Sequence, residues 1–168
     1  MQPYPGLLVA AARRRISQAV LERVAGHELT AQQFWLIIAV LEAPGISQVE
    51  IAERTRADAP NVSRALTALG DRGLVRMAPH PTDRRRTQVS LTPAGARLAR
   101  SLRPVAHELR QAMVAGMSQG EVAALCAALQ HLISNLDELD RRQQPPVPVR
   151  AAARPRPSNA ARRESSRG

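Results

Sequence analysis

Residues 80–95, HPTDRRRTQVSLTPAG, carry the densest chemistry in the chain: Arg84, Arg85 and Arg86 follow Asp83 directly, between two runs that alternate apolar with polar. A guanidinium is permanently charged and presents a planar fork of donors that matches phosphate geometry. A solvated loop tip is the ordinary alternative for such a cluster. Its setting argues for more, because a turn stiffened by Pro81 can deliver a guanidinium into a groove too narrow for a helix. A second set of candidates lies just upstream in APNVSRALTALGDR, residues 59–72. On a helix, Val62, Ala65, Leu66 and Leu69 share one face and form core. Asn61, Ser63, Arg64 and Thr67 then point outward, with Pro60 at the start. Asparagine can read adenine edges, arginine can read guanine edges or grip phosphate, and small hydroxyls suit phosphate.

The elements that must position these residues are marked by capping signals. Thr30–Gln33, Ser47–Glu50 and Ser118–Glu121 each place Ser or Thr three residues before Glu or Gln, the reciprocal arrangement that caps two unpaired amides. Thr92 followed by Pro93 marks a fourth start, where proline's missing N–H costs nothing. Helices are predicted at 7–26, 31–42, 48–54, 59–72, 93–115 and 119–140. Between the fourth and fifth the period changes to two. GLVRMAP (73–79) and TQVSL (87–91) read as antiparallel strands, Val75 and Met77 against Val89 and Leu91. HPTDRRR is their connecting loop, with proline and aspartate as turn formers. Helices 48–54 and 59–72, separated by TRAD, make a helix-turn-helix, and the hairpin makes it winged.

Val122, Leu125, Leu129, Leu132, Leu136 and Leu139 step by three and four, the spacing of a seam that packs on another helix. Leu98, Leu102, Val105, Leu109 and Ala112 repeat that pattern in the preceding helix. The two could pack on each other, but a small winged helix offers long helices little core, so a partner chain is expected. Cys126 lies one position off the seam and reads as a small buried hydrophobe.

Composition narrows the function. There are 24 basic residues, all arginine, against 14 acids; residues 1–140 hold 16 arginines and 13 acids, and residues 141–168 hold eight arginines and one acid. A basic balance favours a polyanionic partner. Tyr4, Phe34 and Trp35 are the only aromatics, too few for the stacking platform that holds single strands, so duplex fits better. One cysteine excludes an internal disulfide and a multi-cysteine zinc site. His27, His80, His107 and His131 show no metal-ligand spacing, so no metal and no cofactor is expected. No phosphate loop or nucleophile–base set supports an enzyme. LLVAAARRR is neither a secretory signal nor a span, which points to a cytoplasmic, nucleoid-associated protein. The tail from 141, with five prolines and no apolar periodicity, is expected to be disordered.

Taken together, RADAPNVSRALTALGDRGLVRMAPHPTDRRRTQVSLTPAG resembles the DNA-binding core of the MarR family of bacterial winged-helix transcription regulators. LTAQQFWLIIAVL and GMSQGEVAALCAALQHLISNL resemble its second and last helices. The resemblance implies a mainly α fold with a small β-hairpin wing (α+β), a domain over 1–140 with its DNA-binding core at 30–92, dimerisation helices at 7–26 and 93–140, and a separate tail at 141–168. It further implies a homodimer that binds a pseudo-palindromic operator on double-stranded DNA, in most cases as a repressor, and that a small ligand often releases. By carry-over, Pro60, Asn61, Ser63, Arg64 and Thr67 face the major groove. Asp83 orients Arg85 into the minor groove, while Arg84 and Arg86 meet phosphate. Leu8 and Ile16 join Val122, Leu125, Leu129, Leu132 and Leu136 in the dimer interface. An effector pocket between winged domain and dimer helices draws attention to Phe34, Trp35, Arg13 and His107, with His27, Arg14 and Arg15 nearby; an arginine beside an aromatic suits an aromatic acid. The competing reading is an architectural DNA-binding protein of low specificity, dominated by wing and tail.

Overall fold

Capping decides where each helix begins. In the computed structural model, which describes residues 4–79 and 86–143, Thr30 Oγ1 accepts from the Gln33 amide at 3.1 Å while Gln33 Oε1 accepts from the Thr30 amide at 3.0 Å. Ser47 and Glu50 make the same reciprocal pair, as do Ser118 and Glu121. The Ser118 amide and hydroxyl hold the Glu121 carboxyl below its ordinary pKa. Thr92 Oγ1 accepts from the Gly95 amide at 3.0 Å, with Pro93 opening the helix.

The resulting order is α1 (Pro5–Val24), a 3-10 turn (Ala25–His27), α2 (Ala31–Glu42), α3 (Gln48–Thr55), α4 (Ala59–Asp71), β1 (Val75–Pro79), β2 (Thr87–Leu91), α5 (Pro93–Met113) and α6 (Gln119–Gln143). This is a mainly helical fold with a two-stranded antiparallel hairpin. Contacts divide the chain at Gly116, so that α1 to α5 and the hairpin form one unit and α6 belongs to a second.

Within the first unit α2 is the centre, because Phe34, Leu36, Ile37, Ile38 and Val40 are apolar around most of its circumference and such a helix must be covered on several sides. Val20 and Val24 of α1, Ile51 of α3, Val62, Leu66 and Leu69 of α4, and Leu102, Ala106 and Leu109 of α5 complete the core. The α5 row was expected to pack against α6 or a partner chain. Instead, Leu102 and Leu109 are buried in the core of the first unit, and Leu98 and Val105 pack against it. Periodicity shows that a helix has an apolar face but not which surface will cover it.

The helix-turn-helix is closed by backbone geometry. Arg56 takes the left-handed conformation (φ 49°) at the end of α3, and the Ala57 amide reaches back to Ala52 O at 3.1 Å. Gly73 (φ 66°) ends α4 similarly, with the Leu74 amide on Leu69 O at 2.9 Å. This is the glycine-terminated helix end that turns the chain sharply into a strand.

Strand register is as expected, Val75 opposite Leu91 and Met77 opposite Val89. The burial is not, since Met77 is exposed while Val75 and Val89 are buried. The hairpin's base lies on the core and its outer part extends past it. Beyond the base, β2 is fastened to the α2–α3 connection: the Val89 amide donates to Ile46 O at 2.9 Å and Gln88 bridges to Ser47.

In the second unit, α6 runs three residues past its expected end at 140, into the segment expected to be disordered. Glu138 pairs with Arg141 at 2.6 Å and Arg142 at 3.2 Å, and cations in a last helical turn suit the dipole there. Leu125, Leu129, Leu136 and Leu139 are all exposed. Cys126 is exposed as well, contrary to the buried position expected. The rest of the tail, from residue 144, lies outside the described residues.

Candidate nucleic-acid interface

The inner face of α4 is anchored by Val62, Leu66 and Leu69, each fully buried, and that fixes the rotation of the helix. Its outer face therefore presents Pro60, Arg64 and Thr67 exposed, with Asn61 and Ser63 half-buried. These side chains are organised among themselves. The Asn61 amide donates to both Asp58 carboxylate oxygens, at 2.6 and 2.8 Å, and the Arg64 guanidinium donates to Asn61 Oδ1. Asp58 stands at the helix N-terminus without capping an amide, so its carboxylate serves Asn61 instead. Sequence reasoning missed Asp58; its spacing of three before Asn61 was the available signal. Thr67 donates to Ser63 O at 3.0 Å. Arginine and asparagine side chains held in an exposed row on an immobilised helix can donate to phosphate or base edges with less ordering to be done on contact.

On the wing, Asp83, Arg84 and Arg85 lie outside the described residues. Arg86 is described, and its Nη2 donates to Ser47 Oγ at 3.1 Å and lies 3.6 Å from Glu50 Oε1. The helix-turn-helix is tied to the first helical elements by Arg72, which donates to His27 O at 2.8 Å and Glu28 O at 2.7 Å, satisfying carbonyls around the left-handed turn at Glu28.

Of the residues expected in a dimer interface, Leu8, Leu125, Leu129 and Leu136 are exposed, and Ile16, Val122 and Leu132 are half-buried. Leu7 and Val9 extend the exposed apolar surface of α1. Of the effector candidates, Phe34 is wholly buried, Trp35 half-buried, and Arg13 and His107 exposed. Phe34 and Trp35 meet edge to face with ring centroids 4.8 Å apart. Arg13, Arg14 and Arg15 line an open groove along α1 with Gln18, Leu21 and Glu22.

The structure brings a different cation to the tryptophan. The Arg110 guanidinium carbon lies 5.9 Å from the Trp35 ring centre, and Arg110 donates to both Glu42 oxygens, at 2.7 and 3.2 Å. That fork holds the Glu42 carboxyl below its ordinary pKa, against the opposing effect of burial. A depressed folded pKa gives stability that is present above the unfolded value, about 4.3, and is lost as pH falls through the folded one. Because both side chains are nearly half exposed, the contribution is below about 1 kcal/mol. Denaturant midpoints taken from neutral pH to pH 3 should fall less in Arg110→Ala than in the parent, and parallel curves would remove the pair from the acid response. Arg23 similarly ties α1 to α5 through Glu108 at 2.9 Å.

Among the described residues no cluster of three His, Cys, Asp or Glu is gathered as a metal site would need, and no helix is long and apolar enough to cross a membrane.

With this geometry in place, the likenesses to known proteins are specific. The family model of the MarR family matches residues 27–86, which run from the α1–α2 turn to the root of the wing. The HTH-type transcriptional repressor NicR of Pseudomonas putida is 28% identical over 130 residues, 77% of this chain and 82% of the relative. The structure of a mutant MarR from E. coli complexed with operator DNA matches at TM-score 0.61 and 26% identity, covering 76% of this chain and 91% of that one. BpsR of Bordetella bronchiseptica, solved to explain regulation of its DNA binding by 6-hydroxynicotinic acid, matches at TM-score 0.63 and 27% identity, covering 78% of this chain and 97% of that one. The element order, the cored α4 with its outward polar row and these likenesses agree, and the chain is similar to the winged-helix transcriptional regulators of the MarR family.

Proposed function

We propose that this protein is a transcriptional repressor that binds a pseudo-palindromic operator on double-stranded DNA as a homodimer, and that a small aromatic acid releases it. The observation that carries the reading is α4, whose buried Val62, Leu66 and Leu69 leave Asn61, Arg64 and Thr67 as an outward row. A helix so held suits the major groove, and the arginines of residues 84–85 suit the minor groove or phosphate beside it. Two copies are called for by the apolar surfaces that the single chain leaves in water, Leu7, Leu8 and Val9 on α1 and Leu125, Leu129 and Leu136 on α6. Large apolar side chains left exposed along one helix suit an interface. Release by an aromatic acid is supported by Arg110 beside Trp35, where a ligand carboxylate can take the place of Glu42 on the guanidinium while its ring meets the indole. BpsR, which responds to such an acid, is a relative of similar fold. The protein acts by binding and not by catalysis.

Selection of duplexes from a random DNA pool at physiological salt tests this reading. It should enrich an inverted repeat whose half-sites lie about one helical turn apart. Binding without an enriched sequence would favour the architectural alternative, with the basic tail dominant. On the enriched duplex, Arg64→Ala should lose about 1–3 kcal/mol and relax preference at one position of the half-site. A uniform loss across all sequences would reassign Arg64 to phosphate.

A further inference from the structure

We propose that Arg86 is a positioning residue: its guanidinium fastens the root of the wing to the first turn of α3, so that hairpin and recognition helix meet DNA as one body. This rests on the DNA-binding reading above, and it departs from the phosphate role that the position implies by resemblance. The Ser47 side chain is almost completely buried, and its hydroxyl has one donor and two acceptor sites. It donates to Glu50 Oε2 at 2.6 Å and accepts from the Glu50 amide at 3.2 Å. Arg86 Nη2 takes the remaining acceptor site at 3.1 Å and stands 3.6 Å from Glu50 Oε1. The arginine thus completes a capping box that is also the N-terminus of the helix-turn-helix. Its charge faces a carboxylate, which leaves little net attraction for phosphate. The location fits this use. Backbone pairing secures β2 to the α2–α3 connection at Val89 and Gln88, and Arg86 adds a side-chain anchor just ahead of Thr87, where β2 begins. Gly45, at φ 79° in that connection, lets the Gln88 side-chain amide lie where a Cβ would otherwise stand.

A double-mutant cycle on DNA affinity tests the assignment. Glu50→Gln removes the charge but keeps the cap, as Gln33 demonstrates in the same role on α2. Wild type, Arg86→Ala, Glu50→Gln and the double variant are titrated with a labelled duplex recovered from the random pool, across a series of salt concentrations. Arg86→Ala should bind about three- to fivefold more weakly, the range of a single half-exposed ion pair. The slope of log affinity against log salt should not change. In the Glu50→Gln background the loss should shrink. A slope shallower by about 0.9 would instead make Arg86 a phosphate contact, and an equal loss in both backgrounds would sever it from Glu50; either result overturns the proposal, as does unchanged affinity. Arg86→Gln, which retains a donor for Ser47 Oγ, serves as a second variant should the alanine form fail to fold. If the wild type retains no duplex at all, the DNA-binding reading fails first and the positioning role with it.

Discussion

Gly95→Ala is expected to lower the stability of the α1–α5 unit by about 3 kcal/mol, the upper end of what overpacking ordinarily costs. Gly95 occupies the first turn of α5, where a Cβ would fall 2.8 Å from the Leu74 carbonyl carbon and closer still to its oxygen. That oxygen already accepts from the Thr92 amide at 3.1 Å, at the crossing of the wing's entrance and exit. The obstacle is backbone on both sides, so no rotamer change can relieve it. Either the Leu74–Thr92 bond breaks or α5 moves away from the hairpin's base. Urea denaturation followed by far-UV circular dichroism measures the loss. Gly26→Ala, where nothing lies within 4 Å of the added carbon, is the matched control. Equal midpoints for the two variants would refute the close approach.

A comparable effect is expected at Phe34. The ring is wholly buried at the centre of the unit and meets Trp35 edge to face at 4.8 Å. Truncation to alanine should cost about 3–5 kcal/mol, combining lost transfer energy with the cavity left behind. Phe34→Leu should recover most of that, because much of the volume returns. The pair of variants also separates two roles. If Phe34→Leu folds stably and keeps its response to an aromatic acid, the ring is core; if it folds stably and loses the response, Phe34 lines the effector site.

Much of the fold was legible because its signals are local. The boxes Thr30–Gln33, Ser47–Glu50 and Ser118–Glu121 span three residues each, and all three formed. The Thr92–Pro93 cap marked where the hairpin gives way to α5, and alternation set Val75 and Met77 against Leu91 and Val89. For the candidate site, the apolar spacing of Val62, Leu66 and Leu69 was enough to rotate Arg64 and Thr67 outward. Burial along the outer wing was less legible, since Met77 alternates like a core residue yet stands beyond the core's edge.

The sequence by itself determined which elements form, where they start and which face of each is apolar, because those properties depend on neighbours three or four positions away. Only the tertiary structure decided which faces meet. It turned the α5 row onto α2 while leaving the similar row of α6 exposed. It paired Glu42 with Arg110, 68 residues apart, and set Trp35 beside them. It also brought Arg86 to Ser47 across 39 residues. Such pairs depend on how whole helices pack, and one charge carries no mark of the distant charge that packing will bring to it.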